Sequence, residues 1–210
     1  MKNRYIGYLA FLIFAFSSFY LGSRIHLTYA SHHSSLSDDN METDMYLQNA
    51  RYYIHDNVFD RSTYHIDQAK KSLRRLEEDI DIESGQEIED AINSLNKIER
   101  EIVENKFEPS DMNKAFAKTL ETVALAELRI SERYAESANL DIAQVALKYA
   151  KLHLRNAMEY EHLPNKTYDL KVYQQIDSLI ESPEISPIEI SNKLDEMIRE
   201  MNEIIALNDN

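Results

Sequence analysis

The chain has 210 residues, no cysteine and a formal net charge of −14. The absence of cysteine excludes disulfide bonds, thiolate metal sites, a cysteine nucleophile and acylation as a bacterial lipoprotein. The first 30 residues contain three basic residues and no acidic one, so the remainder of the chain carries −17. This charge repels phosphate backbones and anionic lipid, so nucleic acid is not among the predicted partners.

The amino-terminal segment has the pattern of an export signal. Lys2 and Arg4 precede an apolar run from Tyr5 to Leu21, after which the chain turns polar. At about 17 residues, this run is short for a membrane span and long for the core of a signal peptide. Residues 1–30 are therefore predicted to be either a signal peptide or a signal anchor.

Small residues mark a cleavage site within Thr28-Tyr29-Ala30, and cleavage after Ala30 is the favoured alternative. Retention of the segment as an anchor is the other alternative. Basic residues before the apolar run place the amino terminus in the cytosol. Both alternatives therefore predict an extracytoplasmic protein, either free in the periplasm or anchored in the membrane and facing the periplasm.

Residues 31–41 are polar and without periodicity, which predicts a flexible linker. From residue 42 to residue 207, apolar side chains recur at steps of three and four, which predicts helices. Outside the central segment, the predicted inward-facing positions are Tyr46, Ala50, Tyr53 and Ile54, then Tyr64, Ile66, Ala69, Leu73 and Leu76, then Ile88, Ala91, Ile92, Leu95, Ile98 and Ile102, then Leu170, Tyr173, Ile176, Leu179 and Ile180, and finally Leu194, Ile198, Met201 and Ile205.

Two helix starts carry capping signals. Ser84 and Glu87 have the spacing of a capping box at the start of the third helix. Ser186 is predicted to cap the last helix, because Pro187 suits the first helical position and Glu189 completes a second capping box.

The segment from Phe116 to Glu161 has the longest helical periodicity, interrupted near Asn139, and Pro109 marks the start of its first helix. Small residues on both apolar stripes allow two helices to approach closely as an antiparallel hairpin. The predicted inward positions are Ala117, Leu120, Ala124, Leu128, Ser131, Ala135 and Ala138, then Ala143, Ala146, Leu147, Ala150, Leu154 and Ala157. Positions predicted to face water are Glu127, Glu132, Arg133, Lys148, Lys151 and Arg155.

No segment has a convincing strand pattern, so the predicted fold class is all-α, a bundle of about seven amphipathic helices. Leu128, Ala135, Leu147, Ala150 and Leu154 are predicted to share one core with Leu73 and Leu95. A shift of 81 residues superposes Tyr53 on Tyr134, Asp60 on Asp141, Lys70 on Lys151 and Leu73 on Leu154. Either the domain is a duplication with units 45–125 and 126–207, or amphipathic helices brought into phase share these residue types without a common origin.

The helical pairs, the export signal and the break at Leu163-Pro164-x-x-Thr167 resemble the YfdX family of exported bacterial helical proteins. The resemblance covers roughly Met45 to Ile180. Where that family has Gly-Asp hairpin turns, this chain has residues 57–60 and 138–141. The resemblance implies a stress-related binding role and no established catalysis.

Two histidines near the end of the hairpin, His153 and His162, are candidate site residues. Glu159-x-x-His162 supplies one of the two Glu-x-x-His pairs that a carboxylate-bridged two-metal site requires, so His162 is interpreted as a residue that meets the last carbonyls of its helix. His153 resembles a phosphoacceptor histidine, but an exported domain meets no cytosolic phosphodonor, so a partly exposed helical histidine is predicted. No catalytic or cofactor-binding motif is found, and the protein is predicted not to be an enzyme.

Nine tyrosines lie outside the leader. Their helical spacing predicts residues at the core or its edge whose hydroxyl groups reach water. Adjacent Tyr52 and Tyr53 have a recognition surface as their alternative interpretation.

Cleavage after Ala30 would make Ser31-His32-His33 the new amino terminus. Its α-amine, two backbone amides and the imidazole of His33 offer four nitrogens in square-planar geometry, which suits Cu(II) and Ni(II). The predicted metal site is therefore Ser31, His32 and His33, and its alternative is an ordinary linker.

The leading functional expectation is an exported, non-enzymatic helical protein that binds an envelope protein or a second copy of itself, or that buffers a stress. One alternative is a helical scaffold with an acidic extracytoplasmic domain, held at the membrane by its amino-terminal segment. A third is a weak carrier of a metal or another small ligand.

Overall fold

The computed structural model describes residues 41–77, 80, 82–161, 167–182 and 185–207. The prediction of an all-α bundle is confirmed, because these residues form seven helices and no strand. The helices are α1 (41–55), α2 (Phe59–Glu77), α3 (Ile82–Val103), α4 (Pro109–Glu136), α5 (Leu140–Glu161), α6 (Thr167–Ile180) and α7 (Pro187–Leu207).

Several predictions fall outside the described residues. The leader, residues 31–40 of the linker, the metal site at Ser31, His32 and His33, and the break at Leu163-Pro164 are among them. The linker was predicted to include Met41, which instead lies in α1. Among the helices that are described, none has the length and apolar character needed to cross a membrane.

Helix α4 lies at the centre of the bundle and contacts α3, α5 and α7. Every residue from 119 to 128 is buried, so this part of the helix is covered on all sides. Five of these ten residues are Ala or Leu, and α5 packs along α4 as the predicted hairpin partner. The hairpin prediction is confirmed, and α4 additionally contacts α3 and α7.

One large apolar cluster joins α4 to α5, α6 and α7. It contains Leu128, Ala135, Leu147, Ala150 and Leu154, as predicted. Leu73 and Leu95 are buried but lie outside this cluster. The reason is topological, because α3 packs between α2 and α4 rather than against α5.

Helix α1 packs across α2 and α5. Thr43 Oγ1 lies 2.8 Å from Ser72 Oγ on α2, and both residues are buried. Arg75 of α2 donates a hydrogen bond of 2.5 Å to Glu42. The aliphatic anchor on the inner face of α1 is Leu47, which is fully buried and which the predicted stripe omitted.

The capping predictions had different outcomes. In α7 the backbone N–H of Glu189 donates to Ser186 Oγ at 3.3 Å, so the predicted cap is confirmed. In α3 the prediction is wrong, because the helix begins at Ile82 and Ser84 lies inside it. Glu87 instead accepts two hydrogen bonds, of 2.7 and 3.1 Å, from the guanidinium of Arg129.

Three helices end in the same type of turn, with a residue in the left-handed conformation. These residues are Asn57 after α1, Asn105 after α3 and Ala138 after α4, with φ of 60°, 53° and 56°. In each turn the next backbone N–H donates to a carbonyl five residues earlier at 2.8 Å, the Schellman arrangement.

Features of the first half recur in the second at the predicted shift of 81 residues. The left-handed residue Asn57 corresponds to Ala138, and the first residue of α2 corresponds to the first residue of α5. Lys70 donates to Asn96 at 2.9 Å, and the corresponding Lys151 donates to the corresponding Asp177. These pairs link α2 to α3 and α5 to α6 in the same register.

Candidate functional site

The outer surface of α1 and α2 carries a group of aromatic side chains that we call the tyrosine face. Tyr46 and Tyr53 are two helical turns apart on α1, and Arg61 is one turn from Tyr64 and His65 on α2. The tyrosine face consists of Tyr46, Tyr52, Tyr53, Arg61, Tyr64 and His65.

His65 lies at the centre of this face. Its ring stacks on Tyr53 with centroids 5.3 Å apart and an interplanar angle of 7°. Tyr64 contacts the same ring edge-on at 5.3 Å, and Tyr46 lies 6.0 Å away. Tyr52 extends the group by an edge contact with Tyr53 at 5.6 Å. These contacts between neighbouring rings restrict the side-chain rotations of the group.

Arg61 also contacts Tyr53. Its guanidinium lies 5.4 Å from the ring centroid and donates a hydrogen bond of 3.3 Å to the phenol oxygen. Partial burial, followed by the positive charge of Arg61, lowers the pKa of His65 below its usual value of 6.5. His65 is therefore neutral at physiological pH, and its buried Nδ1 has no hydrogen-bond partner among the described residues.

Two tyrosines of this face are more exposed than the other tyrosines whose side chains are described. Tyr52 is 61% exposed and Tyr64 is 58% exposed, although Tyr64 was predicted to face the core. Among the tyrosines whose side chains are described, Tyr160 alone is buried. The interpretation of the tyrosines as core residues is therefore wrong for Tyr52 and Tyr64. The exposure of Tyr52 favours the alternative interpretation, in which Tyr52 and Tyr53 belong to a recognition surface.

A second polar cluster lies inside the bundle. His153 of α5 was predicted to be partly exposed, but it is fully buried. Its Nδ1 lies 2.5 Å from Oδ2 of Asp44 on α1, and Asn156 donates a hydrogen bond of 2.6 Å to Oδ1 of the same carboxylate. Glu127 of α4, predicted to face water, is also buried.

The charges around His153 decide its protonation. Burial by itself lowers the pKa of the imidazole, but the Asp44 carboxylate and then the Glu127 charge oppose this, and the net pKa is raised above 6.5. The raised pKa favours the imidazolium, which forms a buried ion pair with Asp44 and so links α5 to α1. Because both side chains are buried, we interpret the pair as a structural contact.

No group of three or more potential metal ligands is found among the described residues. Outside that part of the chain lie the predicted ligands Ser31, His32 and His33. The same holds for His162 of the Glu-x-x-His pair. The Cu(II) or Ni(II) site therefore stays a prediction that depends on the leader being cleaved.

Comparison of the chain with protein-family models, with curated proteins and with solved structures found no match. The resemblance to the YfdX family therefore stays a prediction. Functional conclusions for this chain rest on its own residues.

Proposed function

We propose that this chain is an exported, non-enzymatic envelope protein that binds a partner protein through the tyrosine face, in a stress-related role. The observation that carries the proposal is the exposure of Tyr52 and Tyr64 beside the stacked pair of Tyr53 and His65. Tyrosine and arginine are enriched among residues that dominate binding energy, and rigid aromatic rings lose little conformational entropy on binding.

The charge of the chain favours a basic partner. The residues after position 30 carry −17, which attracts a cationic surface and repels a second copy of the chain. Lysine or arginine side chains of a partner can also bind the open faces of Tyr52 and Tyr64 by cation–π interaction. We therefore propose a partner with a basic surface rather than self-association.

The test is to replace both exposed tyrosines by serine and to measure capture of envelope proteins by the purified, full-length chain. A photo-crosslinking residue at position 52 identifies the species that contacts the face. We expect one basic protein to crosslink, and its affinity to fall at least about tenfold in the Tyr52→Ser, Tyr64→Ser double variant. Raising the salt concentration should also weaken binding.

Ile188→Ser is the matched control, because Ile188 is an apolar residue on α7 that is 76% exposed. Its replacement should leave binding unchanged. Equal capture by the wild type and the double tyrosine variant would contradict the proposal. Crosslinks formed only between copies of the chain would replace the basic partner with self-association.

A further inference from the structure

A pocket between α1 and α5 has both signs of charge on its walls. Its volume is about 250 Å³, and we call it the interhelix pocket. Gln48 and Arg51 face it from α1, and Arg155 and Glu159 face it from α5. It is distinct from the tyrosine face, with which it shares no residue.

The floor of the pocket is formed by the buried side chains of Tyr160 and Leu120, and most of the accessible lining of the pocket is polar. Tyr160 is 5% exposed and packs edge-on against the buried ring of Phe116 with centroids 5.5 Å apart. Leu120 of α4 lies beside it and is fully buried. The guanidinium of Arg51 lies 5.2 Å from the Tyr160 ring centroid, so the ring also positions a cation at the wall.

One carboxylate of the pocket is already compensated. Asp44 is 7% exposed, and its two oxygens are engaged by His153 and Asn156. This carboxylate holds α1 against α5 and keeps the pocket open between them. The charges that remain for a ligand are those of the rim.

Arg155 and Glu159 provide these rim charges. They are exposed and one helical turn apart on α5, a spacing that permits an ion pair. Arg155 instead makes weak hydrogen bonds of 3.4 Å to Asn156, and in the described part of the chain neither it nor Glu159 forms an ion pair. A cationic and an anionic group therefore lie side by side at the rim of the pocket without neutralising each other.

We propose that the interhelix pocket binds a small zwitterion of the amino-acid class. Its carboxylate is bound by Arg155, and its ammonium group is bound by Glu159. The side chain of the ligand is short, because the pocket is small. The volume suits a ligand of this size and is below that of pockets for drug-sized molecules, which is about 300–1,000 Å³.

The charge pattern is tested with three probes of similar shape. L-Valine has both charges, isobutylamine lacks the carboxylate, and isovalerate lacks the ammonium group. Each is titrated into the isotopically labelled full-length protein, and binding is followed by backbone amide shifts. We expect saturable binding of L-valine with shifts in residues 44–51 and 155–160, and binding of either singly charged probe at least about tenfold weaker.

Exposed pocket residues give variants that retain the fold. Arg155→Gln should reduce the preference for L-valine over isobutylamine, and Glu159→Gln should reduce the preference for L-valine over isovalerate. Lys148→Gln, exposed on α5 outside the pocket, should change neither. Absence of saturable L-valine binding, equal affinity for the three probes, or unchanged preferences in both pocket variants would each overturn the proposal.

Discussion

Ala138 has the least favourable backbone conformation among the residues that end a helix. Its φ of 56° brings its Cβ close to the following carbonyl, which costs about 1–2 kcal/mol for most non-glycine residues. Asn57 and Asn105 adopt the same conformation, but asparagine tolerates it through local hydrogen bonding. The turn after α4 is therefore formed at the expense of stability.

Replacing Ala138 by glycine should raise the free energy of unfolding by about 1 kcal/mol, because glycine removes the clash and the gain exceeds its greater freedom in the unfolded chain. Urea denaturation followed by circular dichroism measures the change. Asn57→Gly is the control and should alter stability by a few tenths of a kcal/mol at most. An Ala138→Gly protein less stable than the wild type would show that the turn is not strained.

The buried pair of Asp44 and His153 predicts a stability that depends on pH. Because the folded-state pKa of His153 is raised above 6.5, its contribution is fully present below about pH 6.5 and is lost as the pH rises through the folded-state value. Asp44→Asn should cost about 3–5 kcal/mol at pH 6, since it leaves a buried charge without its partner. The cost should be smaller at pH 9.

Glu42→Gln removes a neighbouring but more exposed ion pair with Arg75, and should cost less than about 1 kcal/mol at both pH values. Unfolding free energies of the three proteins at the two pH values test the prediction. A cost for Asp44→Asn that is the same at both would mean that His153 is not protonated in the folded protein.

At this scale the sequence predicted little of the polar chemistry. His153 follows Leu147 and Ala150 at steps of three residues in the apolar repeat of α5, and it directly precedes Leu154. This position could have indicated that the side chain is buried. Its partner Asp44 lies more than 100 residues earlier in the chain. No local pattern pairs residues so far apart, and the rings of Tyr46 and Tyr53 likewise reach His65 only when α1 packs on α2.

Helix α4 determines how the other elements are arranged, and Leu147 is one of the α5 residues that pack within its apolar cluster. Leu147→Asp should destabilise the protein by about 4 kcal/mol or more and abolish cooperative thermal melting, because the carboxylate would be buried without a partner.

Lys148→Asp is the matched control on the exposed side of the same helix and should change stability by about 0.5 kcal/mol or less. Thermal melting followed by circular dichroism distinguishes the two variants. An unaltered melting curve for Leu147→Asp would be incompatible with its position in the cluster.

Helices and their order were predictable because apolar spacing and chain breaks are local properties. The stripes of α3 and α7 are buried as predicted, whereas Leu170 of α6 is 45% exposed. The helix begins at Ile82, two residues before the cap expected at Ser84, and Glu87 binds Arg129 of α4. Spacing identifies a face of a helix, but it does not say which helix will cover it.

The whole molecule has an internal order consistent with duplication. The equivalent turns, helix starts and lysine contacts lead us to infer two related units, 45–125 and 126–207. In this interpretation the first half of α4 is the last helix of one unit and its second half is the first helix of the next. The sequence alone left this open, because shared alanines and leucines also arise from helical phase.

Fractionation tests the environment of the molecule. With the leader cleaved, the chain should appear in the soluble periplasmic fraction and begin at Ser31 by mass spectrometry of its amino terminus. Protein that keeps Met1 and stays with membranes after washing in high salt and carbonate would support the anchored scaffold instead. A mature protein that begins elsewhere would remove the predicted Cu(II) or Ni(II) site.

The continuity of α4 affects how the bundle responds to heat and to binding. Repeat units joined by loops can melt one after another, because each contacts only its neighbours. Here the junction between the two inferred units lies within ten consecutive buried residues of one helix, where bending would break backbone hydrogen bonds away from water. We therefore expect the two inferred units to unfold as a single cooperative body, and a partner that stabilises α1 and α2 to protect α6 and α7 from global unfolding as well.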